Sequence, residues 1–534
     1  MNVHDLLDAS SAHVVGFDWL ARAVAPVSPY GERVFEALRP FGPGEESAAQ
    51  ARCDAIARCE AAMPPDRLDA IRGLLADLPD VVGALARASM GDALDDAALL
   101  ELRRFCATIE RIESLTAEYP ERPVIFNDAI AAVGVALAPA GRDASAFYLA
   151  DAFDAKLAAA RALLGREQAE LDAARGRESA LAARALGRET IESDEFIVMR
   201  ADLRGSLPAG VRAIREAPTY VLCALEYGEA TLAALARRDA AATAVAEAEA
   251  RVRARLSALV RERAARLDAA ARGLGELDVL VAAGRYAQRY ACVAPSLDAG
   301  GVLAFEGARF LPLEDELAAA GRQFVPLDLE LRDAAVLTGP NMGGKSVLLQ
   351  TCGFLALACA LGLPVPAERA RCALFDRIAW LGLGRDASIG GLLSSFAREV
   401  VELKAILERA APRLLILVDE FARTTTPHEG KALSIALLER LRERRAVGML
   451  ATHLSGIAAA AGVRHFAVRG LRGIPHRPAV SEVAQALAAL AEAMDYTIEE
   501  VGPDARPRAD AIALTELLGL DGDFVAAAHR ALSQ

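Results

Sequence analysis

The stretch AAVLTG at positions 334–339 runs directly into GPNMGGKSVLLQ. Aliphatic residues, a glycine-rich loop and a helical pattern in immediate succession work together only where a parallel strand ends and a helix begins. This segment therefore commits its part of the chain to an α/β fold with a parallel sheet. The string satisfies G-x-x-x-x-G-K-S through Gly339, Gly344, Lys345 and Ser346. Glycines let backbone N–H groups curl around phosphates, and the helix N-terminus adds its positive end. Lys345 is placed to reach β- and γ-phosphates, and the Ser346 hydroxyl to bind Mg²⁺. The expected cofactors are ATP and Mg²⁺.

Two further apolar runs end in polar residues suited to the same chemistry. RLLILVDE delivers Asp419 toward the metal and Glu420 as the group that polarises the attacking water. AVGMLATH ends on His453, where an imidazole can meet the γ-phosphate or the water. The bland alternatives are two solvated acids and a satisfied core histidine, and their place after parallel strands argues for function. Glu420, His453 and Lys345 are the catalytic candidates, with Ser346 and Asp419 as metal ligands. Gly339, Pro340, Asn341, Met342, Gly343, Gly344, Lys345, Ser346 and Val347 form the nucleotide-binding loop.

Elsewhere the pattern is helical. Hydrophobic residues make up 54% of the chain but aromatics only 5%, so the apolar mass is mostly Ala, Leu and Val, which suits long helices. Leu157, Leu164 and Leu171 recur every seventh position in one stretch, and Val260, Leu267 and Leu274 in another, a period that suits two antiparallel helices. Between them FIVM and TYVLC read as strands and the intervening Gly and Pro as turns, giving a helical arm tipped by a small module; an irregular connection is the alternative. The expected domains are 1–118 (helical core), 119–187 with 229–285 (long helices), 188–228 (tip), 286–480 (nucleotide domain) and 481–534 (C-terminal helices, after the strand-like DYTIEEV).

The eight cysteines are scattered without metal-ligand spacing and read as buried hydrophobes in a reducing cytoplasm. No run of 18 apolar residues occurs, so no membrane partner is expected. The net charge of −13 argues mildly against non-specific grip on nucleic acid. Residues 190–230 carry four arginines (200, 204, 212, 215) against seven acids, a poor composition for a phosphate clamp.

TGPNMGGKS, VDEFARTTTPHEG and ATH together resemble the ATPase domain of the MutS family. FVPLDLEL from Phe324 to Leu331, and SSFARE from Ser394 to Glu399, stand where that family has its own signatures. The resemblance implies that Phe324 and Val325 pack on adenine, that Asn341 meets the phosphates in cis, and that Ser394 reaches the nucleotide of a second subunit. It thereby implies a homodimer or a heterodimer with another MutS-like chain. It also implies a multidomain fold: an α-helical core, long antiparallel lever helices with a shortened clamp tip, a P-loop ATPase domain and C-terminal dimerisation helices. The family's mismatch-reading domain, connector and added nuclease domain are not expected. Val347 after Ser346, and Ala422 and Thr424 in place of glycines, depart from the family's pattern and predict a stiffer loop after Glu420. Two roles follow from the resemblance: a clamp on double-stranded DNA in mismatch-repair-type processes, or a protein-remodelling ATPase that reactivates an adenosylcobalamin-dependent aminomutase such as lysine 5,6-aminomutase. An inactive nucleotide-binding scaffold is the third, disfavoured by the complete set of polar residues.

Overall fold

The computed structural model describes residues 3–119, 122–138, 149–203, 205–340, 343–382, 395–409, 411–472, 493–505, 512, 515 and 520–532. The chain divides into two compact units, one of Leu78–Glu113 with Val124–Ala271, the other of Met1–Asp77, Ser114–Pro123 and Arg272–Gln534.

The first of these is built on two helices, Ala155–Ala185 and the part of Glu229–Arg289 that reaches Ala271. Arg161 pairs with Glu249 at 2.9 Å, Glu167 with Arg237 at 2.9 Å, and Glu178 accepts from the Thr231 hydroxyl at 2.8 Å. One residue number rises as its partner falls, so the helices are antiparallel. Leu157 and Leu171 on one helix are buried, as are Ala234, Ala241 and Ala248 on the other, again seven apart, and Leu164 is half-buried. The ion pairs flanking the seam set the register.

The helices end in a three-stranded antiparallel sheet, β1 (Glu195–Met199), β2 (Val211–Glu216) and β3 (Tyr220–Leu225), in the order β1-β3-β2. Val198, Val211, Val221 and Cys223 bury one face against Ala182 of the arm. The middle strand of this tip, in sequence order, was not anticipated: VRAIRE carries two arginines, and a bulge between Ala213 and Arg215 breaks the alternation that would have shown it. On the opposite face Ile197 pairs with Leu222 and Met199 with Tyr220, and Ile197 and Met199 are 50% and 46% exposed.

In the other unit, β4 (Ser296–Leu297), β5 (Leu303–Ala308), β6 (Leu327–Leu331) and β8 (Arg369–Cys372) form a small sheet in the order β4-β8-β5-β6. The larger sheet contains β7 (Ala334–Thr338), β9 (Arg377–Gly382), β10 (Leu414–Asp419), β11 (Val447–Ala451), β12 (Arg464–Leu471) and β13 (Met494–Val501). Its order is β13-β12-β7-β11-β10-β9; all neighbours are parallel except β13, antiparallel at the edge. Every residue of β7, β10 and β11 is buried, as strands covered on both faces must be. Asp419 is level with Ala451, and Ala451 with Leu337, so these three strands finish at one rim.

Residues near the N-terminus belong to the same core. Leu6, Leu7, Val15 and Leu20 pack with Phe354 and Trp380, while Ile378 N–H donates to Leu6 O at 2.8 Å and Trp380 N–H to Ser11 Oγ at 3.1 Å. These contacts cover the edge that β9 would otherwise expose. Asp278, fully buried, accepts from the N–H groups of Val27 and Ser28 at 3.0 and 2.7 Å and so anchors the start of the Pro29–Ala37 helix. Among the described residues no helix is long and apolar enough to cross a membrane, and all eight cysteines are buried and free.

Candidate functional site

The site lies on the rim where β7, β10 and β11 end, the usual place for ligands of an open parallel sheet. The end of β7 is pinned from one side: the Thr338 hydroxyl pairs with His465 Nε2 at 2.8 Å, and His465 Nδ1 with Gly502 O at 3.2 Å. A carbonyl can only accept, so Nδ1 carries the proton and Nε2 accepts from Thr338. The loop then passes so close to β12 that a β-carbon on Gly339 would stand 2.8 Å from Val468 Cβ. It closes on Gly344, whose φ of +81° is the left-handed conformation that starts the Lys345–Ala360 helix.

Lys345 is buried, and its ammonium donates to the carbonyls of Gly339 and Pro340 at 3.1 and 2.9 Å. Burial pulls its pKa down, while Glu420 and Asp419 hold it up. A desolvated cation at a helix N-terminus and a glycine loop is a fitting partner for a triphosphate. Beside it the Ser346 hydroxyl donates to Asp419 Oδ2 at 2.7 Å, two hard oxygen donors side by side. Burial pushes the Asp419 carboxyl up from its ordinary range, a cost that a bound dication would reverse. The donor set suits Mg²⁺, which takes one or two protein oxygens and completes its shell from phosphates and water.

Glu420 follows with φ +57°, its N–H bonded to Ala451 O at 3.0 Å. This left-handed step turns its side chain toward β11, where Oε1 meets His453 Nε2 at 2.5 Å. The same Nε2 lies 3.3 Å from Lys345 Nζ. A carboxylate so close requires a proton on Nε2, so the imidazole donates to Glu420 rather than accepting from Lys345. Lys345, Glu420 and His453 thus form one contiguous polar group, with Ser346 and Asp419 alongside. Gly382, ending β9, permits the close approach to Asp419: a β-carbon there would fall 2.2 Å from Asp419 O.

The other anticipated residues are placed less uniformly. Val347 turns its side chain into the main core. Phe324 is half-buried against that core, and Val325 is 48% exposed. Asn341, Met342 and Ser394 lie outside the described residues. Tyr496 on β13, within the strand-like DYTIEEV, has its ring 3.2 Å from where a Gly344 β-carbon would stand, and burial pushes its hydroxyl up against the opposing pull of Arg322. An aromatic on an edge strand 152 positions away in sequence carries no local signal of that proximity. Glu399 closes SSFARE with no local sign of a role of its own; its Oε2 accepts from Ala422 N–H at 2.8 Å.

A family model described as MutS domain V matches residues 335–471, the span that holds Lys345, Ser346, Asp419, Glu420 and His453. The chain is 39% identical over 190 residues to an Endonuclease MutS2 of Carboxydothermus hydrogenoformans, covering 35% of this chain and 23% of that protein. It is 39% identical over 199 residues to the DNA mismatch repair protein MutS of Thermus aquaticus, covering 36% of this chain and 24% of the relative. It is 36% identical over 206 residues to an Endonuclease MutS2 of Agathobacter rectalis, covering 38% and 25%. The chain thus spans about a quarter of the length of these relatives.

Proposed function

We propose, from the match of residues 335–471 to MutS domain V and the relatives that share this span, that the chain is a MutS-like protein that binds and hydrolyses ATP and works as a dimeric conformational switch. The observation that carries this is the convergence of Lys345, Ser346, Asp419, Glu420 and His453 on one rim. Lys345 and the helix N-terminus bind the phosphates, and Ser346 and Asp419 hold Mg²⁺, which supplies charge neutralisation at the phosphate oxygens. Glu420 accepts a proton from the attacking water. His453 Nε2 competes for that carboxylate, so hydrolysis requires the imidazole to let Glu420 Oε1 go or to share it. Ser394 would come from a partner subunit, completing each site across a dimer.

Double-stranded DNA is the acted-on partner suggested by relatives named for mismatch repair and endonuclease activity. A second reading, a protein partner such as an aminomutase, is favoured by the tip. Its outer face exposes Ile197, Met199 and Ile214, and Arg200 is already bonded to Glu216 at 2.6 Å and to Ala217 O. A phosphate clamp has little use for exposed aliphatics. Arg204 lies outside the described residues.

Glu420→Gln tests the central claim. It should keep ATP affinity and lose turnover by at least about a hundredfold; wild-type turnover in this variant would remove Glu420 as the water-activating group. ATPase rates with and without duplex DNA at two salt concentrations separate the partners, since failure to bind duplex at low salt leaves the protein reading.

A further inference from the structure

The loop after β10 holds two non-glycine residues in the left-handed region, Glu420 and Ala422, both at φ +57°. An L-residue there is disfavoured by about 1 kcal/mol or more and persists only where its surroundings over-determine it. Glu420 is held by its N–H bond to Ala451 and by His453. For Ala422 the holding group is Glu399, whose Oε2 accepts its N–H at 2.8 Å. The Ala422 carbonyl accepts from Thr425, from its hydroxyl at 2.9 Å and its N–H at 3.2 Å. Both backbone groups of the strained residue are thus occupied, and only the Glu399 bond comes from another element, the Ser395–Glu408 helix.

We propose that Glu399 is a positioning residue for Glu420: its carboxylate tethers Ala422 in the left-handed turn and thereby couples the Ser395–Glu408 helix to the water-activating carboxylate. This deepens the ATPase reading and rests on it for its kinetic consequence. Only Phe421 lies between the tethered residue and Glu420, which leaves little slack. If Ala422 relaxes to an ordinary conformation, the peptide between Phe421 and Ala422 rotates and the Glu420 backbone moves with it. A movement of that helix would therefore be felt first at Glu420, not at the phosphate loop, which is held independently through Thr338 and His465.

Full-length wild type, Glu399→Ala, Glu399→Gln and Glu399→Ala with Ala422→Gly are compared by ATP affinity, single-turnover hydrolysis, and hydrogen exchange of the peptide spanning 420–426. Glutamine retains an oxygen acceptor, so Glu399→Gln should hydrolyse within about twofold of wild type. Glu399→Ala should lose at least about tenfold in rate, the scale of a small misplacement of a reacting group, with ATP affinity unchanged and faster exchange at Ala422. Ala422→Gly should restore part of that rate, because glycine adopts the turn without a tether. Should the alanine variant not fold, Glu399→Met fills the same space without an acceptor. Hydrolysis within twofold of wild type in the folded alanine or methionine variant, or equal loss in Glu399→Gln, overturns the proposal. A wild-type chain that hydrolyses no ATP instead sinks the ATPase reading, and exchange at Ala422 still judges the tether.

Discussion

At the scale of single residues, the site is assembled from groups that are costly to bury and have been buried together. Glu399 shows the cost in its titration. Burial holds its carboxyl above the ordinary 4.5, against the opposing pull of the Ala422 N–H and of Arg423. The folded chain therefore binds this proton more tightly than the unfolded chain, and the residue's contribution to stability falls as pH rises through the window above 4.5. Glu399→Gln removes the charge and keeps the acceptor. Its melting temperature at pH 7 should equal or exceed that of wild type, with the difference closing below the ordinary glutamate range; thermal melts at several pH values decide this.

At the scale of elements, close approach is obtained with glycine and one carboxylate. A β-carbon on Gly275 would lie 2.6 Å from Tyr30 O, and one on Gly31 2.3 Å from Asp278 Oδ2. The Pro29–Ala37 helix thus lies against the long helix with no room for a methyl group, and the N–H groups of Val27 and Ser28 just before it are satisfied by Asp278. Gly275→Ala should cost about 1–3 kcal/mol by overpacking. Asp278→Ala leaves two backbone donors without an acceptor and should cost about 2–5 kcal/mol, with Asp278→Asn losing less. Urea unfolding of the three variants measures each, and an Asp278→Ala chain as stable as wild type would show that water replaces the carboxylate.

At the scale of the whole molecule, the tip is inserted between the two arm helices, whose ion pairs at Arg161, Glu167 and Arg237 lie outside it. Replacing residues 188–227 by a short Gly-Ser turn should therefore leave basal ATP hydrolysis within about twofold, since a flexible closure of that length costs little. Any stimulation by DNA or by a protein partner should disappear in the same variant. Retained stimulation would place the partner-binding surface elsewhere on the chain.

Much of this was legible along the chain because it is written locally. Strand, glycine loop and helix in succession set the rim of the candidate site; seven-residue spacing marked the arm helices, Lys345 and Ser346 stood out through G-x-x-x-x-G-K-S, and Asp419, Glu420 and His453 through their place after aliphatic runs. What the sequence could not show depends on residues far apart in number meeting in space: the level register that puts Asp419 beside Ala451 and Leu337, the pinning of Thr338 by His465, Tyr496 against Gly344, and the Glu399 tether. The left-handed turn at Ala422 belongs to the same class. An isolated alanine avoids that conformation, and only the packing around it, with an acceptor supplied from another helix, makes it the residue's resting state.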